Sequence, residues 1–256
     1  MLAAERRRKI ADLVSSAGAV STEDLATRLD VSAETIRRDL LALEEDGRIA
    51  RVHGGATVTT RSEVSFEPSF DVRSAVSPER KQRIAQTAAA LVPPGGLVMI
   101  DVGTTALLAA RALPASLSAT VVTTSVRVAV ELADRRDLEV IVVGGRLRSG
   151  DLAVSGVSAV DFIAGTHFDV ALVGSGGLHA TAGLTDYYRD EAETRRTVLS
   201  NSSTSYVLCD ATKFGVIARY RAASLGDFTA VIVDEAPTGD LRHRLDASGT
   251  RVIVAD

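Results

Sequence analysis

Residues 31–40 read VSAETIRRDL. Ile36 and Leu40 stand four apart and Leu43 follows three later, the spacing of a helix's inward stripe. Ser32 precedes the run and can accept from the first unpaired amides, so the helix is expected to start there. Ser32, Glu34, Thr35, Arg37 and Arg38 all lie in its N-terminal half. Two readings fit. One is an ordinary solvated face. The other is a helix that offers its exposed side to the major groove of DNA, where arginine pairs bidentately with guanine or grips phosphate.

The flanks favour the second reading. Ile10, Leu13, Val14 and Ala17 mark a helix over 5–17, ended by Gly18. In AVSTEDLATRLD (19–30), Ser21 or Thr22 can cap a second helix, with Glu23 and Asp24 in the first turn where the dipole favours acids. The third helix is expected to run to about Asp46, with Gly47 as its stop. RIARVHGGATV (48–58) then alternates like a two-stranded ribbon turning at Gly54–Gly55. Three short helices and a ribbon make a winged helix-turn-helix, in which the second helix braces the third against DNA. Arg51 and His53 in the ribbon are placed to touch the DNA backbone or minor groove. The expected DNA-contacting set is therefore Ser32, Glu34, Thr35, Arg37, Arg38, Arg51 and His53.

Composition limits the alternatives. The 256-residue chain has a formal net charge of −4, and residues 1–60 hold 9 Lys/Arg against 10 Asp/Glu. Any DNA contact must come from a local basic patch rather than from global charge. The single cysteine, Cys209, excludes an internal disulfide and fits a reducing cytoplasm. It lies mid-strand with no neighbouring histidine, so a buried structural thiol is expected. The start, MLAAERRRKIADLV, carries charge where a signal peptide needs its apolar region. No run approaches 18 apolar residues, so no membrane association is expected. The histidines at 53, 167, 179 and 243 have no metal-ligand spacing, and neither metal nor cofactor is expected.

Residues 58–78 have no sustained period and carry two prolines, which reads as a linker between a domain at 1–57 and another at 79–256. Beyond it, helical stretches alternate with near-continuous apolar runs. These are LVMIDV (97–102), TVVTTS (120–125), EVIVVGG (139–145), DVALVGS (169–175), SYVLCD (205–210), AVIVDE (230–235) and RVIVAD (251–256). The pattern predicts an α/β domain with a mostly parallel sheet covered on both faces.

Gly103, Thr104 and Thr105 follow the first of these strands and open a helix, a combination suited to anions. Neither the dinucleotide nor the nucleoside-triphosphate fingerprint occurs. The other strand ends carry Thr123, Thr124 and Ser125; Gly144 and Arg146; Gly176; and Lys213. In an open parallel sheet such ends converge on one crevice. Arg146 and Lys213 are the candidate cations for a phosphate, each with a surface salt bridge as its plainer reading. Glu191 could accept sugar hydroxyls or be a solvated helix carboxylate.

Residues 18–56, GAVSTEDLATRLDVSAETIRRDLLALEEDGRIARVHGGA, resemble the winged helix of the DeoR family of bacterial transcriptional regulators. The resemblance implies that Val20 to Asp39 form the helix-turn-helix and that Thr35, Arg37 and Arg38 face DNA. DVGTT, VVTTS, VVGG, DVALVGSGGL, GLTD, DEAETRR and LCDATKFG resemble the family's effector domain. That domain is similar in fold to ribose-phosphate isomerases, and the resemblance implies sensing of sugar phosphates or related metabolites. It names Gly103, Thr104, Thr105, Thr123, Ser125, Gly144, Gly176, Glu191 and Lys213 as effector contacts. Thr124 stands where the family commonly has asparagine, and Arg195-Arg196 where Lys-Arg is common, a mild change.

Isomerases of this fold carry an Asp-Gly-Ala-Asp run where this chain reads VGSGGL, so no catalytic residue is expected. Three readings compete: an effector-sensing regulator, an isomerase fused to a DNA-binding domain, and a winged-helix interaction module without a DNA target. The first is favoured. It implies a repressor of carbohydrate-metabolism genes, released from operator DNA by a phosphorylated sugar. A homodimer or higher homo-oligomer is expected, because one recognition helix reads too few bases.

Overall fold

The computed structural model describes residues 3–17, 19–45, 49–52, 54–57 and 67–256. Gly18, Asp46, Gly47, His53 and the part of the expected linker at 58–66 lie outside the described residues. The chain divides into two compact units, Met1–Pro68 and Ser69–Asp256.

In the first unit, α1 spans Ala3–Ala17, β1 Ala19–Ser21, α2 Thr22–Leu29, α3 Ala33–Glu45, β2 Ala50–Val52 and β3 Gly55–Thr57. Ser21 caps α2 by accepting from the Asp24 amide at 3.0 Å. Asp30, with φ of +52°, turns the chain out of α2 in the left-handed conformation that a short polar side chain tolerates. Ser32 then accepts from the Thr35 amide at 3.2 Å and starts α3. Ile10, Val14, Leu25, Ile36, Leu40 and Leu43 are buried together, so the i, i+4, i+7 stripe of α3 faces inward.

The ribbon differs from its sequence reading by one strand. β1 pairs antiparallel with β3, giving the order β1–β3–β2. Gly55 permits this: a Cβ there would lie 2.3 Å from the Val20 carbonyl oxygen. Three residues are too few to give a readable alternation, so the sequence does not show β1.

In the second unit, α4 spans Phe70–Ala75 and α5 Pro78–Ala90. Then come β4 (Leu97–Ile100), α6 (Thr104–Ala112), β5 (Ala119–Thr123), α7 (Val126–Leu132) and β6 (Leu138–Val142). A hairpin of β7 (Arg146–Arg148) and β8 (Ala153–Ser155) leads to α8 (Val157–Ala164). After β9 (Phe168–Val173) come β10 (Gly177–His179), β11 (Gly183–Asp186), α9 (Arg189–Ser200) and β12 (Ser202–Leu208). The chain ends with β13 (Tyr220–Ala223), β14 (Ala230–Val233), α10 (Gly239–Ser248) and β15 (Arg251–Val254).

Seven strands form one parallel sheet in the order β15–β14–β12–β9–β4–β5–β6. They are the seven apolar runs read from the sequence. Alternate residues face opposite layers. Ile100, Val121 and Leu172 join Ile84, Ala88, Leu107 and Val128 on one side. Met99, Val122 and Val173 join Ile163, Val198 and Leu245 on the other. β10, β11 and β13 form a separate antiparallel sheet.

Part of the expected linker is folded. Phe70–Ala75 form α4, capped by Ser69, and Phe70 packs against the core beside α6. Arg127 stands over the Phe70 ring at 4.1 Å. Six residues are too few to show a helical period, so sequence alone hid α4. Among the described residues no helix is long and apolar enough to cross a membrane.

Candidate functional site

The first candidate surface is the outward face of α3. Inward packing of Ile36 and Leu40 leaves the side chains of Arg37 and Arg38 58% and 79% exposed. Glu34 lies beside both, at 3.3 Å from Arg37 Nη1 and 3.7 Å from Arg38 Nε. Exposed pairs of this kind are worth little, about 0–1 kcal/mol, and yield readily to phosphate. Asp39 behaves differently. It is buried, and accepts from Arg6 Nε at 2.5 Å and Arg7 Nε at 3.1 Å. The two arginines of TIRRDL thus face solvent while its aspartate locks α3 to α1. Arg51 is exposed but tied to α3, its amide donating to Glu44 at 3.1 Å and Nη1 lying 3.6 Å from the same carboxylate.

The second candidate surface lies at the C-terminal edge of the parallel sheet. β4 connects through α6 to β5 on one side, while β9 pairs on its other side. The strand order therefore reverses direction between β4 and β9, the place where open α/β sheets form their binding crevice. Gly103, with φ of +120°, turns the chain from β4 into α6. The first amides of α6 have no intrahelical acceptor and open onto this edge.

The other sequence-selected residues fall into two groups. Thr123, Thr124 and Ser125 are buried and largely committed to the fold. Thr123 Oγ1 donates to the Ile100 carbonyl at 2.6 Å and accepts from the Ser125 amide at 3.0 Å. The Thr124 carbonyl accepts from Val154 at 2.7 Å, and Ser125 Oγ caps α7. Gly176 is a packing position, because a Cβ there would lie 2.7 Å from the Thr185 carbonyl oxygen. Gly144 is exposed at the end of β6. Lys213 is half-buried in the turn after β12, with Nζ 5.9 Å from the Tyr187 ring centre.

Beneath the crevice lies a buried ionic hub that motif reading missed. Asp101 follows β4 and accepts from the Gly174 amide at 2.9 Å and from Arg195 Nε at 2.6 Å. Arg195 also pairs with Asp186 and lies 3.9 Å from Glu191. All four side chains are buried. Glu191 pairs in addition with Arg148, whose guanidinium stacks 3.5 Å from the centre of the Tyr188 ring and reaches Asp151 at 2.7 Å. Glu191 is therefore not the solvated carboxylate of the plainer reading. Arg195 is not a mild exchange either, since its fork spans three carboxylates as a single ammonium could not. Arg146 is exposed and pairs with Asp190. It lines an open cleft of about 410 Å³ with Arg148, Ser149, Ser155 and Tyr188.

Cys209 is fully buried at the end of β12, and burial pushes its thiol up to about 12. That makes it an inert packing residue. Among the described residues no group of His, Cys, Asp and Glu side chains is arranged to hold a metal.

Comparison with known proteins matches both units. Residues 6–62 match the model of the DeoR-like helix-turn-helix domain, and residues 76–235 that of the DeoR C-terminal sensor domain. The chain belongs to the DeoR family. It is 35% identical over 253 residues to the HTH-type transcriptional regulator GlpR of Haloferax volcanii, covering 99% of this chain and 98% of that one. It is also 35% identical over 233 residues to the glycerol-3-phosphate regulon repressor of Escherichia coli, covering 91% of each. Among solved structures it is similar to ribose 5-phosphate isomerase A of Methanocaldococcus jannaschii, at 19% identity, 54% coverage of each chain and a TM-score of 0.39. This DeoR-family chain is thus a transcriptional regulator with a DNA-binding unit and a sensor unit.

Proposed function

We propose that α3 reads operator DNA, that the sensor crevice takes a small phosphorylated sugar or polyol, and that this effector releases the operator. The chain then acts as a repressor of carbohydrate-metabolism genes, and as at least a dimer. Arg37 and Arg38 contact bases or phosphate, with Ser32, Glu34, Thr35 and Arg51 flanking them and His53 completing the set. The effector's phosphate lies toward Gly103, Thr104, Thr105 and Lys213. Its hydroxyls lie toward the loops that carry Thr123, Thr124, Ser125, Gly144 and Gly176, and toward Arg146 and Glu191.

One observation carries the reading. At the switch point, the glycine-led start of α6 and the Lys213 turn open on the same sheet edge, above carboxylates that are each held by arginine. An arginine-bound carboxylate is a poor general base, which supports binding without turnover. The phosphorylated class is further supported by the name of the Escherichia coli relative, which refers to glycerol 3-phosphate.

The test is a thermal-shift screen of the full chain against phosphorylated sugars and polyols and their unphosphorylated counterparts. A ligand at about 100 times its dissociation constant stabilises by roughly 2.7 kcal/mol, a rise of about 5–10 °C for a unit of this size. A screen in which no phosphorylated compound moves the sensor transition rejects the proposal.

A further inference from the structure

Lys81 is the buried charge that nothing above explains. It lies in the first turn of α5, 4% exposed. An ammonium has three N–H donors, and buried charges are normally paired with an opposite charge. Here Nζ donates to the Arg73 carbonyl at 2.5 Å, and among the described residues no carboxylate comes within ion-pair distance of it. Asp210 is near enough to attract it, yet spends Oδ1 on the Thr212 amide and hydroxyl of its own turn. Among the described residues, two of the three donors of this buried cation have no acceptor.

The position of that cation matters. Arg80 Nη1 lies 3.2 Å from Asp234, just past the end of β14, so α5 starts at the C-terminal edge of the sheet. α6 starts at the same edge and packs along α5. The charged groups acting on Lys81 are Asp210 and Lys213, after β12, and Arg73 of α4. Burial pulls its pKa down to about 8, with Lys213 and Arg73 lowering it further and Asp210 opposing them.

We propose that Lys81 is an anion-binding residue of the sensor crevice, whose two unused donors take oxygens of a tetrahedral dianion, the phosphate of the effector. The assignment rests on the crevice reading above. It adds a residue that no motif marks, on the far side of the site from Lys213 in sequence. The same ammonium holds the Arg73 carbonyl, so the ligand's charge acts directly on α4, the first element after the DNA-binding unit.

The test uses the full chain, with inorganic sulfate, inorganic phosphate and sn-glycerol 3-phosphate as probes. Sulfate stays a dianion throughout the range, so any change in its affinity between pH 7 and 9.5 reports the protein. Wild-type affinity for sulfate falls by about tenfold per pH unit above roughly pH 8, as the free ammonium loses its proton. In Lys81→Met, sulfate binds at least about tenfold more weakly and its affinity no longer falls with pH. In Lys81→Arg, which stays charged, binding persists to pH 9.5. Because Met removes an under-partnered charge, its ligand-free melting temperature does not drop, which separates loss of binding from loss of fold. Tighter binding of the ester than of inorganic phosphate locates the dianion on an organic effector; equal binding locates it on free phosphate. Lys81→Met binding all three probes like wild type overturns the assignment. If Lys213→Met then loses them, the crevice reading stands alone. If the wild type binds none of the three, both fall.

Discussion

Arg195→Met tests the ionic hub. The substitution keeps most of the buried volume and removes the cation that Asp101, Asp186 and Glu191 share. Asp101 keeps the Gly174 amide, Asp186 keeps the Tyr188 amide and Glu191 keeps Arg148. Those remaining partners place the cost within the range for breaking a buried pair, about 3–5 kcal/mol, rather than three times that. For a unit of this size each kcal/mol is worth roughly 2–4 °C, so the melting transition of the sensor unit falls by about 10 °C. Calorimetry on the full chain reads this, with the DNA-binding unit's transition as an internal control. Arg195→Lys recovers less than half of the loss, because one ammonium cannot span three carboxylates. A loss under about 2 °C refutes the hub.

Three further outcomes are expected. Asp39→Asn removes the charge that holds Arg6 and Arg7, and destabilises the DNA-binding unit by about 2–3 kcal/mol, read by urea titration; an unchanged midpoint rejects the lock between α1 and α3. Arg37→Ala and Arg38→Ala each weaken operator binding by about 1–3 kcal/mol at fixed salt while leaving stability within about 0.5 kcal/mol, since both are exposed; wild-type affinity by gel shift in both removes α3 as the reader. Ligand-free Lys81 has a folded pKa of about 8 against about 10.5 unfolded, so between those values the unfolded chain binds more protons and stability rises with pH. Below pH 8 the wild type therefore carries a penalty on the order of 3 kcal/mol relative to Lys81→Met, which fades by pH 10.5; a pH-independent gap contradicts the shift.

The parallel sheet was legible because strands buried on both faces read as continuous apolar runs, as in LVMI and AVIV. The helix-turn-helix was legible because its caps and inward stripe lie within forty residues of one another. The short antiparallel pieces were not: β7, β8 and β10 hold three residues each, too few to show an alternation. The hub was hidden for another reason. Asp101 and Arg195 are 94 residues apart, and each looks like an ordinary surface charge until the sheet brings β4 and α9 together. Glu191 was visible, but only the fold discloses that Arg148 and Arg195 hold it. Lys81, in ERKQRIAQ, reads as a solvated helix residue; its burial follows from packing of α5 beside α6 and over β12 and β14.

The most direct measurement is operator release. An operator is selected from a random DNA pool by the full-length protein, then titrated by fluorescence anisotropy at fixed salt with and without a panel of phosphorylated sugars and polyols. At least one phosphorylated compound is expected to weaken operator binding by about tenfold or more, within the usual range for coupled sites. Its unphosphorylated counterpart has no effect, and the compound is recovered unchanged. Affinity unmoved by every phosphorylated compound, or release accompanied by their turnover, contradicts the account.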